Sequence, residues 1–339
     1  MSIAFGFIYN RLFHNKEEAE MYLFISRIFT SPSDYLLLAF VVALMFVNWG
    51  IESVKWKFLV GKIENMSLSK SMKSIFSGIC VSVFTPNRIG EFGGRVFYIK
   101  RTGRIEGIFI SLLGSLSQLL VTMITGSIAI VIYYLAYSGF IATTYFLYAG
   151  IAIAIMLFLL TLLYFNLYTV ITRIKKMSIS KNLSLRISSV PAFCSFSAVF
   201  KERILKRLQK YTEVFSLYSF KELALTLLFS FMRYAVFTFQ FYFLLLLFKV
   251  NIPIGIALIL ISITFFAMTL IPTVGVVEFS IRGSAALFFI GLFSDNGIGI
   301  LTSSLGLWVI NLALPAIIGA WFIFGIKSPA ALQKEHQER

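Results

Sequence analysis

Long apolar runs without charge are the feature that most constrains this chain. Five runs reach or approach the roughly 20 residues that an α-helix needs to cross the hydrocarbon core of a bilayer. The chain is 58% hydrophobic and 13% charged, whereas a soluble domain is about half apolar and a quarter charged. We therefore predict an all-α polytopic membrane protein, not an apolar soluble one, with about five full spanning helices. The predicted spans are Tyr35–Ile51, Ile108–Tyr137, Phe140–Tyr168, Leu223–Phe248 and Ile298–Phe324.

The charge balance predicts which loops face the cytoplasm. Thirty Lys and Arg against fifteen Asp and Glu give a net charge of +15. In a membrane protein such an excess indicates cytoplasmic loops near anionic lipid, and we expect no nucleic-acid partner. The most basic polar stretch, residues 172–221, is predicted to be a cytoplasmic linker. We also predict a cytoplasmic tail over residues 327–339.

The basic linker contains one pattern of its own. Over residues 199–218, apolar side chains recur at spacings of three and four, and Lys and Arg fill the other face. This pattern predicts an amphipathic helix on the inner face of the membrane, with anionic inner-leaflet lipids as its partners. A solvated linker helix is the alternative. The two histidines, His14 and His336, lie near opposite ends, and the two cysteines have no metal-ligand spacing, so we expect no cofactor and no metal site.

Two apolar segments are too short to span the membrane, and each lies between loops predicted to be on the same side of the membrane. The apolar stretch Ser74–Pro86 follows the basic segment Glu52–Lys73 and precedes a second basic segment that ends before Ile108. We therefore predict a re-entrant hairpin around residues 74–95 that enters from the cytoplasm. The N-terminal segment, residues 1–33, is then external or interfacial, with a native start upstream of Met1 as the alternative to a short interfacial stretch.

The second half shows the same arrangement reversed. Residues 254–293 are predicted to form a second re-entrant helical hairpin, which enters from the outside. Residues 34–171 and 222–326 then form two membrane repeats of the same plan in opposite orientation. Such an inverted-topology repeat is typical of transporters, which place their sites near the middle of the membrane.

The two hairpin tips share a motif. One runs from Pro86 to Arg95 and the other from Pro272 to Arg282, and each continues from Pro through Gly to Glu-Phe-x-x-Arg. Glu and Arg four residues apart lie on one helix face and partly neutralise each other. Two interpretations stay open. The pairs either hold the hairpins in place or contact a substrate.

Arginines outnumber carboxylates among the charges predicted to lie deep in the membrane. Arg233 is the one charge within a predicted span, and either it pairs with Glu91 or Glu278 for structure or it faces a wet cavity. Four arginines against two glutamates favour an anionic ligand such as a phosphate headgroup. The predicted substrate-binding residues are Arg88, Glu91, Arg95, Arg233, Glu278 and Arg282.

The tip motifs carry a resemblance to a known family. Thr85–Arg95 and Ile271–Gly283 resemble the paired signatures of the lysylphosphatidylglycerol synthase transmembrane, or flippase-like, family. Asn48–Lys57 is similar to its Asn…Arg/Lys-Trp segment, and the resemblance extends from about Tyr35 to Phe324. In the best-known members this domain moves an aminoacylated phospholipid between leaflets and is fused to a soluble aminoacyl-transferase domain.

The resemblance implies a lipid flippase but not its substrate. These 339 residues contain no aminoacyl-transferase domain, and the second tip motif is poorer in Gly than the family pattern. We therefore expect no synthase activity, and a cationic aminoacylated headgroup would not suit an arginine surplus. The expected function is translocation of a lipid with an anionic headgroup across the plasma (inner) membrane. The alternatives are a membrane-embedded transferase and an accessory subunit that recruits a lipid-modifying enzyme as its partner.

Overall fold

The described part of the protein is a bundle of α-helices. The computed structural model describes residues 31–100, 103–137, 143–167, 169, 213–271 and 275–324, and these ranges contain no β-strand. Short 3₁₀ turns cover Val96–Tyr98 and Glu213–Leu217, and a π-helical turn covers Val309–Ala313. The α-helices are α1 (Pro32–Val60), α2 (Leu68–Ser82), α3 (Gly90–Arg95), α4 (Arg104–Tyr137), α5 (Thr143–Phe165), α6 (Phe220–Leu247), α7 (Ile254–Thr269), α8 (Gly275–Ile290), α9 (Gly297–Trp308) and α10 (Leu314–Phe324).

Four helices are long and apolar enough to cross a membrane. They are α1, α4, α6 and the continuous α9–α10 segment Gly297–Phe324. The prediction of a multi-pass membrane protein is therefore confirmed. The fifth predicted span, Phe140–Tyr168, coincides with α5, whose described apolar stretch Gly150–Phe165 is by itself shorter than a span.

The first spanning helix is longer than predicted. It begins at Pro32, where Ser31 and Asp34 form a capping box, and it continues to Val60 instead of ending near Ile51. The segment from Glu52 onward, which is predicted to be cytoplasmic, continues this helix over its first nine residues. Glu52 and Lys55 lie inside the helix and are buried. A helix can contain buried charged side chains when these side chains pair with one another. A count of charges along the sequence does not reveal such pairing.

Helices α2 and α3 form a first hairpin (68–95). It begins at Leu68, six residues before the predicted start. Its two legs approach closely at Gly78 and Gly94. A Cβ atom added to Gly94 would lie only 2.7 Å from the Cα of Gly78, so a larger residue would not fit there. The turn between the legs includes Asn87 and Arg88, both with positive φ. Such backbone conformations are costly for residues other than Gly, so the surrounding structure must hold this turn in place.

Helices α7 and α8 form a second hairpin (254–290). Its tip residues 272–274 lie outside the described residues, so the Pro-Thr-Val part of the second motif is not described. The α7 leg packs against α4, and the α8 leg packs against α9.

Each hairpin packs on a spanning helix from the other half of the chain. The first hairpin lies on α10, where Gly319 contacts the backbone of Phe76 so closely that no Cβ atom fits. The second hairpin lies on α4, where Gly126 leaves the same space for Phe266. Helices α1 and α6 pack against each other at the centre. The two hairpins are therefore interlocked with the spans and face a common interior.

Several predicted segments lie mostly or wholly outside the described residues. These include residues 1–30, the larger part of the amphipathic helix at 199–212, and the tail 327–339. The end of that predicted helix is described, and there the prediction is wrong. Residues Glu213–Leu217 form a 3₁₀ turn, and Phe215 and Tyr218 are buried in the protein instead of facing lipid. The Tyr218 hydroxyl donates a 2.7 Å hydrogen bond to the carbonyl oxygen of Leu59, which ties the linker to the end of α1.

Candidate functional site: a charged cavity between the hairpins

A cavity of about 380 Å³ lies between the two hairpins and the central helices. We call it the central cavity. Its volume is in the range of small-molecule sites, which is roughly 300–1,000 Å³. Its walls come from α1, α2, α3, α4, α6, α7 and α8, together with the turn of the first hairpin. All six predicted site residues line it: Arg88, Glu91, Arg95, Arg233, Glu278 and Arg282.

One group of charges joins the two hairpins directly. The Arg88 guanidinium, at the turn of the first hairpin, donates to both carboxylate oxygens of Glu278 in the second at 2.8 Å each. The Arg282 Nε also donates to Glu278, at 3.0 Å, from one turn further along α8. We call these three residues the Glu278 cluster. Because Arg88 and Glu278 are 190 positions apart, this contact fixes the two tips relative to each other.

A second group of charges centres on Glu52 of α1. One carboxylate oxygen accepts from Arg95 at 2.8 Å, and the other is 2.8 Å from the Lys55 ammonium and 3.1 Å from the Arg233 guanidinium. Arg95 also pairs with Glu91, four residues earlier in the first hairpin. We call these five residues the Glu52 hub. The hub connects α1, the first hairpin and α6 through a single buried carboxylate.

The sequence analysis missed two members of this hub. Glu52 and Lys55 fall in the basic segment predicted to be cytoplasmic, although the apolar positions Trp56, Leu59 and Val60 continue a helical pattern beyond them. That continuation was the signal that could have found them. The predicted alternative in which Arg233 pairs with Glu91 or Glu278 is wrong, because its carboxylate partner is Glu52. Arg233 also lies over the Trp49 ring, 4.5 Å from the ring centroid.

Lys55 is held in place by groups from two further helices. Its ammonium lies 3.3 Å from both the Gly114 carbonyl oxygen of α4 and the Ser230 hydroxyl of α6. Ser230 in turn shares a 2.7 Å hydrogen bond with Ser117. All three donors of the ammonium therefore have partners, as a cation at this depth requires.

A chain of amides extends from the hub toward the last span. Arg233 donates to Asn48 at 3.1 Å, Asn48 donates to Asn311 at 3.2 Å, and Asn311 donates to Gln240 at 2.8 Å. Asn311 lies within the π-helical turn, and such turns are frequent at functional sites. The chain joins α1, α6 and the α9–α10 segment, and Gln240 ends it on the carbonyl oxygen of Val41.

The cavity carries a surplus of positive charge. Five cations and three carboxylates line it, which leaves two positive charges in excess. The side chain of Arg95 is 2% exposed, whereas those of Arg88, Arg233 and Arg282 are 33%, 19% and 16% exposed. Arg95 is thus buried between two carboxylates, while the other three arginines are accessible. An anion entering the cavity would meet Arg88, Arg233 and Arg282 and not Arg95.

Within the described ranges, no three His, Cys, Asp or Glu side chains lie close enough together to hold a metal ion. The carboxylates of the cavity have arginine or lysine partners instead. The arrangement is therefore suited to binding and orienting an anion.

Comparison with models of protein families gives a match over most of the chain. The family model described as lysylphosphatidylglycerol synthase TM region matches residues 24–319, which include all ten described helices except the last residues of α10. No curated protein and no solved structure matches the chain.

Proposed function

Because the chain belongs to the lysylphosphatidylglycerol synthase transmembrane family, we propose that it is a lipid translocase of the plasma membrane. It moves a lipid with an anionic phosphate headgroup between leaflets and performs no chemistry on it. The observation that carries this proposal is the meeting of charges from both hairpins in one cavity with two positive charges in excess. The family match supports a role in membrane lipid handling.

The proposal places both hairpins in the membrane as re-entrant elements of an inverted-topology repeat. Their exposed ends are apolar: Phe84 and Ile89 beside the first turn, and Leu270 and Ile271 beside the second, have largely exposed side chains. Exposed apolar side chains on one side of a turn and charged side chains on the other suit a tip with lipid outside and a polar cavity inside. Each hairpin packs on a spanning helix of the other half of the chain, and this reciprocal arrangement supports the inverted-topology repeat.

The headgroup crosses through the cavity while the acyl chains stay in the bilayer. The phosphate binds Arg88, Arg233 and Arg282, whose exposed guanidinium groups supply hydrogen-bond donors in the fork geometry that phosphate accepts. Since Arg88 and Arg282 also hold Glu278, an incoming phosphate competes with that carboxylate for both arginines. Binding therefore loosens the contact between the hairpins, which gives the ligand a way to shift the protein between two arrangements.

A translocation assay on a matched pair of arginines tests the proposal. Protein is reconstituted into vesicles with acyl-labelled phosphatidylglycerol, and the label that stays protected from an external quencher is measured. Arg88→Gln removes a cavity guanidinium, and Arg104→Gln removes one outside the cavity, whose Nε donates to the carbonyl oxygen of Ile99. We expect transport by wild type and Arg104→Gln, and loss of transport in Arg88→Gln. Equal transport by both variants, or none by wild type, would refute the proposed function.

A further inference from the structure

The central cavity has a second wall that the phosphate does not use. Ser115, Gln118 and Thr122 lie three and four residues apart on α4, and all three side chains line the cavity. This spacing places them on one helix face. The wall carries hydroxyl and amide groups and no charge, whereas the two hairpins and α6 supply the arginines of the cavity. We call it the neutral wall.

The neutral wall has free hydrogen-bonding capacity. The Gln118 side-chain oxygen is fully buried and has no hydrogen-bond partner among the described residues. The Thr122 hydroxyl donates to the Gln118 backbone carbonyl at 2.9 Å, which leaves its lone pairs free to accept. On the adjacent helix α6, Tyr234 also lines the cavity, is 7% exposed, and its hydroxyl has no partner among the described residues. Buried polar atoms without partners are costly, so a ligand that supplies those partners gains affinity.

The carboxylates of the cavity, in contrast, have no free capacity for a cation. Glu52 already has three cationic partners, Glu278 has two arginines, and Glu91 has Arg95. A headgroup ammonium would therefore enter a cavity with two positive charges in excess. The single negative charge of its own phosphate offsets only one of them, so an excess of positive charge remains even where the phosphate displaces Glu278 from its arginines. Repulsion of this kind excludes a ligand as effectively as attraction selects one.

We propose that the cavity selects a phosphate ester of an uncharged polyol and rejects a phosphate ester that carries an amine. This inference rests on the proposed function, because it names the headgroup class of the lipid bound at that site. The phosphate binds the accessible arginines, and the hydroxyl groups of the polyol donate to the Gln118 oxygen and bind the hydroxyls of Thr122 and Tyr234. Phosphatidylglycerol carries this chemistry in a lipid, and glycerol phosphate carries it in a soluble molecule.

Competitive binding measured by native mass spectrometry tests this selectivity without requiring transport. Delipidated protein in detergent is offered equimolar phosphatidylglycerol and phosphatidylethanolamine with identical acyl chains. A second arm offers glycerol phosphate and ethanolamine phosphate. We expect wild-type protein to retain the glycerol ester in preference by about tenfold, the size of one or two net hydrogen bonds. A preference in the lipid arm alone identifies the lipid as the source, and a preference in both arms shows that the headgroup suffices.

Variants of the neutral wall separate its role from general stability. Gln118→Leu should reduce the preference to near unity, while Gln118→Glu, which adds an unpaired carboxylate, should favour the ethanolamine ester. Thr122→Val and Thr125→Val form a matched pair, since each hydroxyl donates to the carbonyl oxygen four residues earlier and only Thr122 lines the cavity. The preference should fall in Thr122→Val and stay unchanged in Thr125→Val, with all variants monodisperse by size exclusion.

The outcomes distinguish this inference from the proposed function. Equal retention of both esters by wild type, or an unchanged preference in both Gln118 variants, would overturn the selectivity. Selective binding without translocation would instead refute the translocase and leave the selectivity standing. Translocation of both lipids at equal rates would refute the selectivity and leave the translocase standing.

Discussion

The Glu52 hub and the Glu278 cluster line the same cavity but differ in their access to it. In the hub, Glu52, Lys55 and Arg95 are each no more than 2% exposed and their contacts join α1 to the first hairpin and α6, while Glu91 and Arg233, at 18% and 19% exposed, reach the cavity. In the cluster, Glu278 is nearly as buried, but Arg88 is 33% exposed and the bonds run between the two hairpin tips. A saturated buried pair fixes helices in place. Where accessible arginines share one carboxylate, an anionic ligand can displace that carboxylate and bind the arginines.

This difference separates the two interpretations that the Glu-Phe-x-x-Arg motifs left open. In the first hairpin, the Arg95 side chain is 2% exposed and pairs with both Glu52 and Glu91, so the Glu91–Arg95 pair is mainly structural. In the second, Glu278 and Arg282 line the cavity beside Arg88, so this pair has access to a ligand. The two copies of the motif therefore have different roles, because only the arginine of the first copy, Arg95, also pairs with the α1 carboxylate Glu52.

The largest effect is expected at the centre of the hub. Glu52→Gln leaves Lys55, Arg95 and Arg233 around a neutral side chain, and removing one partner of a buried ion pair costs about 3–5 kcal/mol. The thermal unfolding midpoint of the detergent-solubilised protein measures this loss. Wild-type stability in Glu52→Gln would contradict the assignment of the hub as scaffold.

A smaller loss of stability and a complete loss of transport are expected at Glu278. Glu278→Gln frees Arg88 and Arg282, but both side chains reach the cavity and can be hydrated there. We expect a cost of roughly 1–3 kcal/mol, a monodisperse protein and no lipid transfer in vesicles. If Glu278→Gln unfolds as readily as Glu52→Gln, the distinction between the two groups fails.

A still smaller effect is expected in the amide chain that supports the hub. Asn311→Ala removes the hydrogen bonds to Asn48 and Gln240, each of which is worth about 0.6 kcal/mol on average between membrane helices. The unfolding midpoint should fall by less than in either glutamate variant. Because Asn48 also accepts from Arg233, transport by Asn311→Ala reports whether the chain matters for the cavity, and the account expects transport to be retained.

The smallest effect is expected for a pair at the edge of the molecule. Glu64 lies in the loop after α1, 2.8 Å from the Lys70 ammonium, and it accepts a hydrogen bond from the Lys100 amide. Burial opposes its ionisation, but these two partners outweigh burial and lower the pKa of Glu64. A carboxylate whose pKa is lowered on folding stabilises the protein above its unfolded pKa, and the gain is lost as the pH falls through the folded pKa.

Glu64→Gln should therefore cost about 0.2–1 kcal/mol at neutral pH, the range typical of single ion pairs near a protein surface. The difference from wild type should shrink below the ordinary carboxylate pKa, about 4.5. Unfolding midpoints measured from pH 7 to pH 3 check this. A difference that grows on acidification would contradict the sign of the pKa shift.

The sequence was sufficient for the elements that depend on local pattern. Apolar runs predicted the four candidate spans, because the bilayer fixes how many apolar residues a helix needs. The spacing of four predicted the pairs Glu91–Arg95 and Glu278–Arg282, because that spacing fixes neighbours on a helix. Both kinds of prediction rest on geometry within one helix.

The features that the sequence did not predict depend on contacts between segments that are distant in the chain. The Arg88–Glu278 contact joins residues 190 positions apart and relies on a turn with positive φ at Arg88, which no periodicity encodes. Glu52 was missed because its burial depends on cations from α6 and the first hairpin. The predicted partner of Arg233 was wrong for the same reason. Only the packing of α1 against α6 determines which of the three carboxylates lies beside Arg233.

The central claim is that both hairpins enter the membrane and present accessible arginines to a lipid phosphate. The most direct test is an electron cryomicroscopy structure of the protein in phosphatidylglycerol nanodiscs, where the bilayer and the bound headgroup are seen together. We predict both hairpin tips at the depth of the hydrocarbon core and phosphate density within hydrogen-bond distance of Arg88 and Arg282. Hairpin tips in bulk water, or a central cavity that holds no headgroup while lipid phosphates bind elsewhere, would contradict it.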